Sequence, residues 1–74
     1  MNEPEPGIYQ HFKGDVYFVQ GVAEHSETHE RLVIYFPLDR FPDWKVWVRP
    51  LAMFQEEVEV EGQRVPRFLR IPSP

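Results

Sequence analysis

Residues 16–36 read VYFVQGVAEHSETHERLVIYF, and this stretch indicates the class of fold. It contains two runs rich in Val, Ile, Phe and Tyr, Val16–Glu24 and Arg31–Phe36, separated by the polar segment His25–Glu30. β-Branched and aromatic residues favour strands, and a polar loop between two such runs is typical of a β-hairpin. Both faces of Arg31–Phe36 are apolar, as in a strand that is covered on both sides. Period-2 alternation groups Leu32, Ile34 and Phe36 on the face that we assign to the core.

The rest of the chain also favours strands over helices. Eight prolines and four glycines interrupt it, and no long window keeps the apolar period of a helix. Gly21 lies inside a predicted strand, where glycine typically marks a bend or a bulge. A 3₁₀ turn is predicted at Pro50–Phe54 because proline fixes the first dihedral angle. Further strands are predicted at Ile8–Lys13, Trp44–Val48, Glu57–Val60 and Arg67–Ile71.

The length and composition describe one small domain. The chain has 74 residues, no cysteine, 15% aromatic residues and a net charge of −4. Disulfides therefore cannot support the core, and the aromatic side chains must supply much of the buried area. We expect a single domain over residues 7–71, with disordered tails at 1–6 and 72–74. The acidic balance argues against a general binder of nucleic acid or of anionic membranes, and no apolar run is long enough to span a bilayer.

Several short strands joined by tight turns predict an all-β fold. We expect a small SH3-like barrel of five to six short antiparallel strands with one 3₁₀ turn, because closure removes the unpaired edges of an open sheet. An open antiparallel sheet covered by its own loops is the alternative. The predicted hydrophobic core consists of Tyr17 or Phe18, Val19, Val22, Leu32, Ile34, Phe36, Val46, Val48, Leu51, Phe54, Val58 and Phe68.

Four segments resemble a known bacterial family, domain of unknown function 1653. They are GIYQHFKG at 7–14, VAEHSET at 22–28, WVRPLAMF at 47–54 and VPRF at 65–68. They follow the family's order over nearly the whole chain. The resemblance implies a short stand-alone bacterial protein of SH3-like shape, and it implies no activity. The chain departs from the family's pattern at Leu38–Asp43, where a more glycine-rich turn is usual, and at His29, where an apolar residue is common.

The polar segment contains residue types used in catalysis and metal binding. His25, Ser26 and Glu27 are the types of a catalytic triad, but neighbours in an extended chain point to opposite sides. His25 and His29 with nearby carboxylates could suggest a Zn²⁺ or Ni²⁺ site, which would need a third ligand such as His11. A hydrogen-bonded turn held by Ser26 and Thr28 explains the same residues. We therefore assign no catalytic residue, metal or cofactor.

The segment Lys45–Arg49 carries the most informative pattern. Strand alternation places Lys45, Trp47 and Arg49 on one face and Val46 and Val48 on the other. An aromatic ring beside cations suggests a solvated face suited to recognition of a ligand. The alternative is that Trp47 packs beneath a loop and that Arg49 pairs with a glutamate. The predicted ligand-binding residues are Tyr35, Trp47, Arg49 and Arg67, with His25 and Glu27 at the rim.

The resulting hypothesis is a small cytoplasmic binding module rather than an enzyme. Its partner would be a protein, recognised through an extended peptide segment, or a small anionic ligand, because arginine suits carboxylate and phosphate. We expect a monomer or a weak homodimer with no membrane partner. The first alternative is a nucleic-acid or ribonucleoprotein accessory protein, which would use a local basic strip despite the acidic net charge. The second is a metal-dependent enzyme centred on His25 and His11.

Overall fold

The computed structural model describes residues 3–40 and 45–72, and these residues form mainly antiparallel β-strands. A 3₁₀ helix occupies Leu38–Arg40, and a single α-helical turn, α1, occupies Leu51–Phe54. The strands are β1 (Gly7–His11), β2 (Val16–Glu24), β3 (Arg31–Pro37), β4 (Trp47–Pro50), β5 (Glu57–Val60), β6 (Gln63–Pro66) and β7 (Phe68–Arg70).

The strands form two antiparallel sheets. Five strands pair in the order β4-β3-β2-β1-β7, and β5 and β6 pair as a separate two-stranded ribbon. The all-β, antiparallel prediction is confirmed. Within the described strands β4 and β7 are the two ends of the larger sheet and do not pair with each other. A closed SH3-like barrel is therefore not confirmed.

The predicted strands agree with the structure except in two places. Trp44–Val48 was predicted as a strand, but β4 begins at Trp47 and runs to Pro50, and Trp44 lies outside the described residues. The strand β6 was not predicted at all. It pairs with β5 through a turn at Glu61 and Gly62, whose φ angles are 51° and 81°. This left-handed pair is typical of a type I′ hairpin turn, although glutamate is not a residue that usually signals one.

The segment after β4 forms a short α-helical turn instead of the predicted 3₁₀ turn. The N–H of Gln55 donates to the carbonyl of Leu51 at 3.0 Å, which is the α-helical spacing. The next N–H, of Glu56, donates to Met53 at 3.3 Å and tightens the end of the helix. Pro50 precedes the helix, as predicted, and contributes a fixed φ without an N–H.

The buried core lies on one face of the larger sheet and is largely aromatic. Phe54 of α1 stacks on Phe68 of β7 with ring centroids 4.2 Å apart, so that the helical turn covers this face. Tyr17, Val22, Trp47 and Leu51 pack against the core at its margins. The buried side chains are Tyr9, Val19, Val33, Tyr35, Phe54 and Phe68.

The face of β3 that we assigned to the core is wrong. Val33 and Tyr35 are buried, whereas Leu32, Ile34 and Phe36 are only half-buried. Two valines of the predicted core are likewise exposed: Val48 of the neighbouring strand β4, by 58%, and Val46 just before that strand. The alternation itself was right, but both faces of β3 are apolar, so that periodicity could not choose between them.

Two local predictions about the backbone are resolved by the pairing. The register of β2 against β3 shifts between Val19 and Gly21, which confirms a bulge at the glycine. The prediction of disordered tails stays a prediction, because residues 1–2 and 73–74 lie outside the described residues. Within residues 3–6, the Glu5 carboxylate pairs with Arg70 at 3.0 Å, and the Glu5 carbonyl accepts a hydrogen bond from the Tyr9 hydroxyl at 3.0 Å.

Candidate functional site

Arg49 lies on the inner face of the larger sheet with its guanidinium held in one orientation. Its backbone pairs with Val33 in the centre of β3, and the side chain is half-buried. Nε donates to the Tyr35 hydroxyl at 3.1 Å, and Cζ lies 5.5 Å from the centroid of the Phe68 ring. A hydrogen bond at Nε and an aromatic surface beneath the guanidinium restrict its rotation.

Arg49 differs from the other arginines whose side chains the structure describes in having no acidic partner among the described residues. Among the arginines whose side chains the structure describes, Arg49 alone forms no ion pair with a carboxylate. A guanidinium can bind carboxylate or phosphate oxygens two at a time through its Nη groups. The others pair as Arg31 with Glu3, Arg64 with Glu57, Arg67 with Glu56 and Arg70 with Glu5.

Tyr35 and Trp47 hold Arg49 from within the core and do not form a solvated face. Tyr35 is only 3% exposed, and its ring meets the Trp47 ring edge-on with centroids 5.9 Å apart. Trp47 is half-buried and also contacts Tyr17 at 6.1 Å. The prediction of a solvated face around Trp47 is therefore wrong. Trp47 pairs with Tyr35 of β3, and because paired residues of neighbouring strands share a face, both side chains point toward the core.

His11 lies at the end of β1 beside the same aromatic ring. Its ring is edge-on to Phe68 with centroids 4.9 Å apart, and its Nδ1 accepts the N–H of Lys13 at 3.2 Å. Because a backbone N–H can only donate, Nδ1 is unprotonated and the neutral ring carries its proton on Nε2. Burial lowers the pKa of His11, and the positive charges of Arg49, Arg67 and Lys13 lower it further.

Arg67 stands at the junction between the ribbon and β7. Its N–H donates to the carbonyl of Glu56 at 2.9 Å, and Nη2 lies 2.6 Å from the Glu56 carboxylate. The side chain is 21% exposed, and its buried Nε has no hydrogen-bond partner among the described atoms. The Arg67 carbonyl accepts the N–H of Phe12, the residue after His11, at 2.9 Å, and the positive charge of Arg67 acts on the His11 ring.

A groove of about 560 Å³ lies next to His11, between the larger sheet and the ribbon. Leu69 of β7 is 61% exposed in it, and Phe12 is 38% exposed. The sequence prediction missed this groove because it missed β6. The available signal was the alternation of Val58, Val60 and Val65 around Glu61-Gly62. The lining residues are Gln10, His11, Phe12, Gly14, Val60, Glu61, Gln63, Val65, Pro66 and Leu69.

His25 and Glu27, the predicted rim residues, are not joined to this site. The Nδ1 atom of His25 accepts the N–H groups of Glu27 at 3.1 Å and Thr28 at 3.3 Å. The Thr28 hydroxyl accepts the N–H of Glu30 at 3.2 Å, which confirms its predicted role in the turn. All the hydrogen bonds of His25 stay within this hairpin loop, residues 25–30. The ligand-binding role of His25 and Glu27 stays a prediction.

His11 and His25, the two histidines named for a metal-dependent enzyme, lie at opposite ends of β2. His11 donates its N–H to the carbonyl of Asp15, just before β2 begins, and His25 follows Glu24, where β2 ends. Residues 3–40 and 45–72 contain no group of three or more His, Asp or Glu side chains that could hold a metal ion. Over the same ranges, no helix is long and apolar enough to cross a membrane.

Comparison with known proteins places the chain among proteins of this architecture. A family model described as a protein of unknown function (DUF1653) matches residues 7–70. The structure is similar to the crystal structure of a DUF1653 protein from Bordetella bronchiseptica, with 33% sequence identity and a TM-score of 0.82. The similarity covers 96% of this chain and 94% of the other. No curated protein matches the chain.

Proposed function

The chain belongs to the DUF1653 family, and we propose that it is a small binding module whose Arg49 anchors an anionic group of its ligand. The observation that carries this proposal is the state of Arg49. Its guanidinium is oriented by Tyr35 and Phe68 and has no carboxylate partner among the described residues. The four other arginines whose side chains the structure describes are each paired with a glutamate.

The surroundings of Arg49 suit an anion rather than a cation. His11, Lys13 and Arg67 lie close enough for their charges or donors to act on the same region. The aromatic ring of Phe68 excludes water from one side of the guanidinium, and this strengthens charge-assisted hydrogen bonds on the other side. The ligand group is accordingly a carboxylate or a phosphate.

The nucleic-acid alternative is less well supported by the charges. Of the five residues that would form the basic strip, three are ion-paired with glutamates, and Lys45 and Arg49 remain. The strip consists of Lys45, Arg49, Arg64, Arg67 and Arg70. We further propose that the fold is an SH3-like barrel, that the protein is bacterial, and that it is located in the cytoplasm. The bulge at Gly21 in β2 supports the barrel, and the similar protein from Bordetella bronchiseptica supports the bacterial origin.

The proposal is tested by titrating the ¹⁵N-labelled protein with acetate and with inorganic phosphate at constant ionic strength. We expect the Arg49 Nε–Hε resonance and the amides of β4 to shift with at least one anion. Arg49→Gln should weaken binding by at least tenfold, because it removes a charge-assisted pair worth about 1.5–3 kcal/mol.

Arg31→Gln is the matched control. It removes the same charge from an exposed arginine that already has a carboxylate partner, Glu3. Anion binding that is equal in the two variants, or a wild-type protein whose Arg49 resonance does not move, contradicts the proposal. Added duplex DNA with a steep salt dependence of binding would instead favour the nucleic-acid alternative.

A further inference from the structure

The groove of about 560 Å³ has one wall on the larger sheet. Gln10 of β1 and Leu69 of β7 are register partners, so that both side chains point to the same face. Their neighbours His11 and Phe68 form the next pair and point to the opposite, inner face. This wall therefore lies on the outer face of the sheet, away from Arg49, and a ligand bound against it is independent of the proposed anion anchor.

The other wall of the groove is one face of the ribbon. Val60 of β5 pairs with Gln63 of β6, and Val65 lies two residues after Gln63, so that these three side chains share a face. The pair of Glu59 and Arg64 lies on the other face of the ribbon. The ribbon thus turns an apolar face with one carboxamide toward the groove and directs the charges of this pair away from it.

Exposed apolar side chains make up much of the groove. Leu69 is 61% exposed, Phe12 38% and Val60 37%. The volume of about 560 Å³ is within the range of sites that hold small organic molecules. A ligand with an apolar chain would remove these side chains from water and would gain affinity with each methylene that it buries.

Glu61 supplies the only negative charge among the described residues that line the groove. Neither lysine nor arginine is among them, and the other ionisable residue is His11, whose lowered pKa keeps it neutral at pH 7. Glu61 forms no ion pair with any of the described residues. Its carboxylate is therefore not neutralised within the described part of the chain, and a single carboxylate is too few ligands for a metal ion.

The backbone position of Glu61 is one that disfavours glutamate. Its φ angle is 51°, in the left-handed region, where a Cβ atom is unfavourable and where Asn, Asp or Gly is usual in a type I′ turn. The turn itself therefore does not explain the choice of this residue. Residues held in such conformations cluster at functional sites, and here the side chain that is kept lines the groove.

We propose that the groove binds a small organic cation, a primary ammonium ion on an apolar chain, with the ammonium at Glu61 and the chain against Leu69 and Val60. The net charge of −4 attracts cations to the protein. The Nε2 of Gln10 donates to the carbonyl of Gly14 at 3.1 Å, which leaves its Oε1 to accept an N–H of the ammonium.

The experiment titrates the methyl-labelled protein at pH 7 with hexylammonium, ethylammonium, hexan-1-ol and hexanoate. We expect hexylammonium to shift the methyl signals of Leu69 and Val60 and to bind about tenfold or more tightly than ethylammonium, whose chain is shorter. It should bind about threefold to fivefold more tightly than hexan-1-ol, which has the chain without the charge. Hexanoate should be the weakest of the six-carbon compounds in the groove.

Glu61→Gln and Glu59→Gln are a matched pair of variants. Each removes one negative charge from the ribbon, but only Glu61 lines the groove. Glu61→Gln should weaken hexylammonium binding by about threefold to fivefold and leave hexan-1-ol binding unchanged. Glu59→Gln should change neither. An equal loss of hexylammonium affinity in the two variants would overturn the role of Glu61.

Leu69→Ser and Val48→Ser test the apolar wall in the same way. Val48 is exposed to nearly the same extent as Leu69 but lies on β4, outside the groove. Leu69→Ser should weaken hexylammonium binding by about tenfold and affect ethylammonium little, and Val48→Ser should affect neither. An equal effect of the two variants would overturn the assignment of the groove.

The outcome is separate from that of the proposed function, because hexylammonium should leave the Arg49 Nε–Hε resonance unmoved. Absence of any shift at Leu69 and Val60 overturns the groove site and leaves the test of Arg49 with acetate untouched. Hexan-1-ol or hexanoate that binds as tightly as hexylammonium overturns the choice of a cation. A lysine blocked at both ends that binds more tightly than hexylammonium would assign the groove to a partner protein and overturn the small-molecule ligand.

Discussion

The hairpin loop at residues 25–30 and the Arg49 site contain the same kinds of polar side chain but use them differently. In the loop, the imidazole of His25 and the hydroxyl of Thr28 are bonded to backbone N–H groups of the loop itself. At the Arg49 site, Nε donates to the Tyr35 hydroxyl, and the guanidinium has no acidic partner among the described residues. Residue types alone pointed to both regions. The partner of each hydrogen bond distinguishes the closed turn from the proposed anion anchor.

Trp47→Ala should have the largest effect, because the indole supports the Arg49 site from within the core. Loss of the contacts with Tyr35 and Tyr17 is expected to lower the free energy of unfolding by about 2–4 kcal/mol. Urea unfolding measures it, with Val48→Ala as the exposed neighbour that should cost well under half as much. A loss of stability as small as that of Val48→Ala would instead indicate that the indole is exposed to solvent, as the solvated face predicted from the sequence requires.

His25→Ala tests the loop side of the comparison. Its Nδ1 accepts two N–H groups, and their loss to solvent should cost about 1 kcal/mol of stability. Anion binding at Arg49 should not change. Urea unfolding and an acetate titration of the same sample check both expectations. Weakened binding at unchanged stability would make His25 a rim residue after all.

Tyr35→Phe tests whether orientation, and not charge alone, makes Arg49 an anchor. The substitution keeps the ring and removes the hydroxyl that accepts from Arg49 Nε, so that stability should fall by about 1 kcal/mol or less. Acetate affinity should fall severalfold because the guanidinium is no longer fixed. Unchanged affinity in the titration would show that the hydrogen bond does not prepare the site.

The smallest effect is expected from the pH dependence contributed by His11. Its pKa is lowered in the folded protein by burial and by the cations around it, so that the unfolded chain takes up the proton at a higher pH. The stability from this residue is complete above the ordinary histidine pKa of about 6.5 and decreases as the pH falls from there toward the lowered folded value. Urea unfolding at several pH values should show a steeper decline for the wild type than for His11→Gln. Parallel curves would contradict the environment described for this ring.

The sequence predicted the strands well and the faces poorly. The bounds of β2 and β5 were predicted to the residue, since β-branched and aromatic runs and the turns between them are local signals. Which face of β3 is buried depends on where α1 and β7 pack, and β3 itself is apolar on both faces. That information is not local, and periodicity cannot supply it.

The candidate functional site was likewise predicted in part from the sequence. Tyr35, Trp47 and Arg49 lie together, because β3 and β4 pair and neighbouring residues of paired strands lie close to each other. Arg67 lies outside these strands and pairs with Glu56, so its place in the site stays a prediction. Tyr35 is buried and Trp47 half-buried, which the residue types on β3 and β4 did not indicate. His11 entered the sequence analysis only as a third ligand that a metal site at His25 and His29 would need. The groove could not be predicted without β6, whose turn uses glutamate at a left-handed position.

The strands that end the sheets are short, and this bears on how the protein behaves when concentrated. The end strands β4 and β7 have four and three residues, and β4 finishes at Pro50, which has no N–H to offer another chain. In the ribbon, Glu59 carries an exposed negative charge on β5, beside the ion pair of Glu57 with Arg64. Each of these features opposes pairing with a strand of another molecule, which is the first step toward amyloid-like aggregation. Pro50 lacks the N–H that pairing at β4 would need, β7 is too short to pair over a long distance, and the charge on β5 repels a second copy of the ribbon.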